Sequence, residues 1–177
     1  YVGVADFNPN AVGVSYADEY FNVSTIDEKG IFEAAKKFKA DGIITLCTDM
    51  PMRALARACE KLGLIGPDFS TAITATDKGV MIHAFEENNV EHPKYIVVDK
   101  ETNVEEISNE FEYPVITKPT DNSGSRGIML VNSAEELRDA LLYSSKNGRE
   151  GNVILEEYMS GPEVSVEVMV IDSKAHV

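Results

Sequence analysis

Three short stretches in the second half of the chain hold residue types that can grip a polyanion. In Pro114-Val115-Ile116-Thr117-Lys118-Pro119 a lysine closes an apolar run. An ammonium at the end of such a strand is costly to strip of water, and a nearby phosphate resolves that cost. The residues that follow, Asp121-Asn122-Ser123-Gly124-Ser125-Arg126-Gly127, make a loop of glycine and serine. Glycine permits positive φ and close backbone approach, so successive N–H groups can turn toward phosphate oxygens. The same composition also serves an ordinary connection between strands. The third stretch runs from Val153 to Glu167. In it Glu156 and Glu157 finish an apolar strand, a hinge follows through Met159 and Gly161, and Glu163 precedes an alternating run. Hinge backbone can face a flat ligand edge, while carboxylates accept from an exocyclic amine or from ribose hydroxyls. Exposed acids on a solvated sheet edge read the same way.

Other candidates are less specific. Thr48 and Asp49 follow the apolar run Gly42 to Cys47, at the carboxyl end of an expected strand, where open α/β sheets place ligands. Asp49 also suits a helix N-cap. The loop from Asp6 to Asn10 has the same standing. Cys47 and Cys59 lack ligand-like spacing and read as buried free thiols. His83, His92 and His176 are scattered and read as structural or solvent-facing. There is no G-x-x-x-x-G-K-[ST] and no G-x-G-x-x-G after a strand, which removes most support for a dinucleotide site. A segment ahead of Tyr1 could still supply one.

The elements that must position these residues follow from periodicity. Residues 1 to 70 alternate apolar runs with amphipathic stretches, the pattern of a parallel sheet joined by helices. Strands are expected at Val2 to Asp6 and Gly42 to Cys47, with a short strand end at Ile65 to Pro67. Helices are expected at Glu28 to Lys39, stopped by Gly42, and from Asp49 through Lys61, with Pro51 in its first turn and Gly63 stopping it. Ser70 to Thr76 reads as a connector, and a domain boundary falls near residue 70. Beyond it a helix is expected from Asp77 to Asn88, with Val80, Met81, Ala84 and Phe85 inward, and another at Val104 to Glu112. Strands are expected at Tyr95 to Val98, Tyr113 to Lys118, Gly127 to Val131, Val153 to Glu157, Val164 to Ile171 and from Ala175. Ser133 with Glu136 forms a capping box for a further helix.

Composition bounds the rest. A chain of 177 residues with 44% hydrophobic content can bury a core. A formal charge of −14 argues against a nucleic-acid backbone as partner. No run approaches the roughly 20 apolar residues of a membrane span, and the cytoplasm is the expected setting. Both ends fall inside expected strands, and truncation at each end is the expectation.

Taken together, Lys78 after Asp77, then P-V-I-T-K-P, S-G-S-R-G-I and L-E-E-Y-M-S-G-P-E-V-S-V-E, resemble the successive nucleotide-binding segments of the ATP-grasp superfamily. Residues 1–70 resemble the Rossmann-like domain that precedes ATP-grasp in biotin carboxylase, the carbamoyl-phosphate synthase large subunit and glycinamide ribonucleotide synthetase, without its first strand. The resemblance implies an α/β fold: a partial preATP-grasp domain at 1–70, then the first α+β part of an ATP-grasp domain at 71–177. It implies that Lys78 and Lys118 contact ATP phosphates, with Lys118 also near the adenine. Ser123, Gly124, Ser125, Arg126 and Gly127 correspond to the loop over the β- and γ-phosphates, where relatives often have lysine in place of Arg126. Glu156 and the backbones of Glu157 and Met159 correspond to the adenine contacts, Glu163 to the ribose contact, and Leu155, Met159 and Ile116 to apolar walls. The implied activity is ADP-forming ligation through an acylphosphate, with ATP, magnesium and a small-molecule carboxylate. The metal ligands and a catalytic arginine are implied farther along than Val177, none within these residues. Two rivals are a non-catalytic nucleotide-binding module and a nicotinamide-dependent dehydrogenase built on the first domain.

Overall fold

The computed structural model describes residues 1–99 and 101–177. Near the start, β1 (Gly3–Asp6) pairs in parallel with β2 (Glu19–Asn22), Gly3 lying opposite Glu19. The link between them contains a 3-10 turn at Val12–Tyr16. Helix α1 (Glu28–Phe38) begins at Asp27, whose carboxylate accepts the Gly30 N–H. It ends at Lys39 with φ 57, earlier than the expected stop at Gly42. Helix α2 (Met52–Leu62) closes at Gly63 with φ 67, as its sequence predicts. Ile31 of α1 with Ala54 and Ala58 of α2 forms a small core, against which Ala5, Val23, Phe32 and Ile43 pack.

Several expectations in this half are corrected. Residues 42–46 form no strand, and Ile44 and Leu46 are largely exposed. A strand exists through its ladder; this segment has none, and a cavity of about 390 Å³ lies between it and β1. Cys47 is therefore exposed, with φ 60, while Cys59 is buried and its thiol pKa is raised by that burial. Asp49 does not cap α2: the N-cap residue is Pro51, and only the Asp49 carbonyl engages, accepting the Met52 N–H. Ile65 is fully exposed rather than in a strand.

Residues Ser70 to Thr76 belong to a helix, α3 (Phe69–Thr76), not to a connector. Its small polar side chains satisfy themselves internally, Thr74 Oγ1 donating to the Ser70 carbonyl and Thr76 Oγ1 to the Ala72 carbonyl. That local bonding makes a loop-like composition compatible with a helix. Arg57 of α2 stacks over the Phe69 ring, its Cζ 3.3 Å from the centroid. Helix α4 (Lys78–Glu87) follows at once, capped by Asp77, whose Oδ1 accepts the N–H groups of Gly79 and Val80. Gly79 and Ile82 form its buried face, whereas Val80 and Phe85, expected inward, are exposed.

The remainder is organised by a four-stranded antiparallel sheet in the order β3 (Tyr95–Val98), β6 (Val153–Glu157), β4 (Val115–Pro119), β5 (Met129–Val131). Side chains alternate across a sheet with period 2. Val115 and Thr117 of β4, Val153 and Leu155 of β6 and Val98 of β3 turn to one face, where Leu137, Ala140 and Leu141 of α6 (Ala134–Asn147) complete the main core. Within it Thr117 and Ser144 share a hydrogen bond of 2.9 Å, and Ser144 Oγ donates to the Gly127 carbonyl. The buried hydroxyls are thus paired, as interiors require.

The expected helix after Val104 is short, α5 (Val104–Ile107). The capping box of α6 does not form: Ser133, the N-cap, makes no side-chain cap, and Glu136 accepts the N–H of the preceding Asn132 rather than that of Ser133. At the end, β7 (Met169–Ile171) and β8 (Lys174–His176) make a hairpin across Asp172 and Ser173, whose φ values of 48 and 62 suit a tight turn. Of the strand expected over Val164 to Ile171, only the last three residues join a ladder.

Candidate functional site

The period-2 pleat that sends Leu155 into the core sends its neighbours to the other face. Ile116 lies opposite Glu156, and Lys118 opposite Ile154. Lys118 and Glu156 are therefore diagonal neighbours on one face, with Nζ 2.5 Å from Oε2. Both side chains are mostly buried, so each charge is compensated by the other. Leu155 cannot wall a ligand on this face, since it is fully buried on the opposite one. Ile116, which is half-buried, lies on the Lys118 face, whereas Ile154 on that face is fully buried.

Lys78 arrives from a separate element. As the first residue of α4, it follows the Asp77 cap, and its own N–H donates to the Thr120 carbonyl at 2.8 Å. Its Nζ donates to the Asn122 carbonyl. Burial, then the neighbouring Lys118, hold its pKa below the ordinary lysine range, opposed by Asp77, Asp121 and Glu156. Two ammonium groups held near each other and partly desolvated form a site that an anion relieves.

The loop between β4 and β5 is anchored at its root by Asp121, which is buried. The two carboxylate oxygens accept the N–H groups of Arg149 and Glu150 at 2.9 and 2.8 Å. The Asp121 carbonyl receives Nε and Nη2 of Arg149. Beyond this root the chain turns through Gly124 and Ser125, with φ values of 69 and 57. Among the described residues, no neighbouring atom lies within 4 Å of where a Gly124 side chain would begin. Gly127, with φ 83, is instead buried against Pro119 and Asn147. The loop has a fixed base and an open tip.

A cavity of about 480 Å³ collects these groups. Lys78, Lys118 and Ser123 through Arg126 line it, together with Asp49, Met50 and Thr76. Pockets of this size suit small-molecule ligands. The other expected residues stand apart. Gly127 lies behind the loop, and Glu156 reaches the cavity through its pair with Lys118. Glu157 is exposed on the far face, its Oε2 accepting the Lys94 N–H. Met159 and Glu163 lie exposed in the segment after β6 and do not line the cavity. Thr48 is also exposed, its hydroxyl accepting the Met50 N–H at 3.4 Å.

Arg149 is a charged cavity residue that sequence reasoning missed. It sits in a loop with no strand or helix period, and its role depends on the distant Asp121. Among the described residues, no group of three or more His, Cys, Asp or Glu side chains is placed to hold a metal ion.

Comparison with known proteins matches this geometry to a family. The family model D-ala D-ala ligase C-terminus matches residues 77–177. A D-alanine–D-alanine ligase of Acetivibrio thermocellus is 36% identical over 76 residues, covering 43% of this chain and 20% of that protein. The carbamoyl phosphate synthase arginine-specific large chain of Bacillus subtilis is 25% identical over 167 residues, covering 92% of this chain and 16% of that protein. The crystal structure of phosphoribosylglycinamide synthetase from Anaerococcus prevotii superposes with a TM-score of 0.65 at 26% identity, covering 97% of this chain and 42% of that one. The chain spans 16% to 40% of the length of these and similar curated relatives. The match over residues 77–177, more than half of the chain, shows that it belongs to the ATP-grasp ligases through the D-ala D-ala ligase C-terminus family.

Proposed function

We propose that residues 1–177 form the ATP-gripping part of an ADP-forming ligase that activates a carboxylate as an acylphosphate for attack by an amine or similar nucleophile. The observation that carries this reading is the convergence on one cavity of Lys78, from the start of α4, with Lys118 and the loop 122–126 that follows it, some forty residues later in the chain. In this reading residues 1–70 are the preATP-grasp domain and 71–177 the start of the ATP-grasp domain.

Each residue then has a role. Lys78 and Lys118 hold phosphate oxygens as compact cations. Ser123, Gly124, Ser125, Arg126 and Gly127 form a loop whose tip closes over the β- and γ-phosphates. Glu156 accepts from the adenine amine while keeping Lys118 oriented, and Ile116 walls the ring. The backbones of Glu157 and Met159 serve the adenine edge and Glu163 the ribose, which requires the segment after β6 to move toward the cavity. Asp49 faces the acceptor, with Thr48 beside it. ATP supplies a γ-phosphoryl group to a carboxylate oxygen and leaves as ADP; the nucleophile then displaces phosphate from the acyl carbon. The protein's share is positioning and charge neutralisation, the main means of catalysis in phosphoryl transfer.

Magnesium accompanies ATP in this proposal, and no side chain here is given a metal-binding role. The setting proposed is cytoplasmic, with a small carboxylate as the other ligand and neither nucleic acid nor membrane as partner. Among the described residues no helix is long and apolar enough to cross a membrane. Family membership leaves the dehydrogenase reading without support.

Calorimetric titration of the folded chain with ATP and magnesium chloride tests the reading. Saturable binding, weakened by Lys78→Met, is expected; absence of binding to the folded chain refutes it. The non-catalytic alternative is separated by assaying ADP release against a panel of small carboxylates and amines in a chain of the relatives' full length.

A further inference from the structure

Helix α2 follows directly on the cavity residues Asp49 and Met50, and it is tied to the cavity from behind through a residue that does not line it. Arg53 lies on the first turn of α2, three residues after Met50. Its guanidinium reaches two other segments. Nε donates to Thr76 Oγ1 at 2.8 Å, at the end of α3. Nη2 lies 3.7 Å from Asp77 Oδ2, and Nη1 lies 3.7 Å from Glu150 Oε1. Asp77 is buried, so its carboxylate needs a cation close by. While its Oδ2 faces Arg53, its Oδ1 caps α4 at Gly79 and Val80. Lys78 stands between the carboxylate and those two amides. Glu150 completes the circuit, because its N–H donates to Asp121 at the root of the glycine loop.

We propose that Arg53 is a positioning residue: by holding Asp77 it fixes the start of α4, and with it Lys78, relative to α2. One consequence is that nucleotide affinity depends on how α2 sits, although Arg53 touches no nucleotide. This part of the inference rests on the nucleotide-binding reading above. The other part, that Arg53 stabilises the cap of α4, does not.

The test uses Arg53→Met, Arg53→Lys, Asp77→Asn and the double variant Arg53→Met with Asp77→Asn. Two readouts are needed: affinity for ATP with magnesium, and amide hydrogen exchange at Gly79 and Val80 without nucleotide. Arg53→Met is expected to weaken affinity about tenfold and to speed exchange at both amides at least fivefold, with the α6 amides of Ala140 and Leu141 unchanged. Arg53→Lys, which keeps charge but loses the planar fork, recovers part of both. The double variant binds no more weakly than Asp77→Asn alone, because the two residues act as one unit. If Arg53→Met fails to fold, Arg53→Lys carries both readouts, with threefold changes expected. Unchanged affinity and unchanged exchange in a folded variant overturn the inference, as do effects that simply add in the double variant. If the unsubstituted chain binds no ATP, the nucleotide reading fails by itself, and exchange at Gly79 and Val80 still decides whether Arg53 holds the cap.

Discussion

Replacing Lys118 with methionine separates two effects that the ion pair with Glu156 combines. The stem of the side chain is kept and the charge is lost, leaving the Glu156 carboxylate beside Ile116 and Ile154. The paired side chains are 23% and 11% exposed. Removing one partner from a fully buried pair costs about 3–5 kcal/mol. The residual access of water on the lysine side, and the presence of Lys78 among the groups that feel Glu156, bring this to roughly 2 kcal/mol. Glu156→Leu leaves Lys118 uncompensated, at similar cost. Removing both charges together is close to neutral, because the desolvation penalty disappears with the attraction. The singles therefore cost about 2 kcal/mol each and the double variant about 0–1 kcal/mol. Urea unfolding measures this, and circular dichroism must follow it because the chain contains no tryptophan. At an m-value of about 2 kcal/mol per molar urea, each single substitution moves the midpoint by about 1 M. Nucleotide affinity behaves differently. Both singles and the double lose it, by at least about tenfold for each charge-assisted hydrogen bond removed. A double variant as unstable as the sum of the singles refutes the pairing; unchanged affinity in Lys118→Met refutes its place at the phosphates.

Two further outcomes follow from the same geometry. Lys78, with its pKa lowered by burial and by Lys118, loses charge at a lower pH than an ordinary lysine. ATP affinity is expected to fall as pH rises through that lowered value, and Lys78→Arg to flatten the fall; an equal fall in both variants removes Lys78 as the cause. The sign for stability is opposite: between the lowered folded value and the ordinary unfolded one the unfolded chain holds more protons, so Lys78's contribution to stability rises with pH. Of the two loop glycines, Gly124→Ala costs only the left-handed backbone term, about 1–2 kcal/mol. Gly127→Ala adds overlap at 2.7 Å with Pro119 Cγ and Asn147 Cβ, a further 1–3 kcal/mol or so. Equal midpoints in urea for the two variants contradict that packing.

Sequence period carried much of the second half. The alternation in β4 and β6 is visible in the residues, and Lys118 and Glu156 share a face because of it. The same rule applied to Leu155 excludes it from that face, so its placement as a ligand wall was contrary to the pleat. Other features depend on partners distant in the chain. The run 42–47 has the apolar character of a buried strand, but a ladder requires a neighbour, and among the described residues β1 pairs only with β2. Residues 70–76 have loop composition and fold as α3 because they pack on α2, Ala72 being buried and Phe69 and Thr76 held by Arg57 and Arg53. Arg149 gives no local signal, since its place in the cavity is set by Asp121, 28 residues earlier. Met159 and Glu163 are legible only by motif, and the segment that carries them stands away from the cavity.

The two hydrophobic cores are unequal, and the cavity straddles them. Among the described residues, ten buried side chains form the one beneath Lys118, against three in the one shared by α1 and α2. Asp49 and Met50 thus line the cavity next to the smaller core, with less packed apolar surface beneath them than Lys118 has. A ligand that touches both sets of residues binds only the state in which Asp49 and Met50 are in place. By thermodynamic linkage, part of its binding free energy then appears as added resistance of the first fifty residues to local opening. Occupancy of the cavity and order in the thin half of the molecule are, in that sense, one equilibrium.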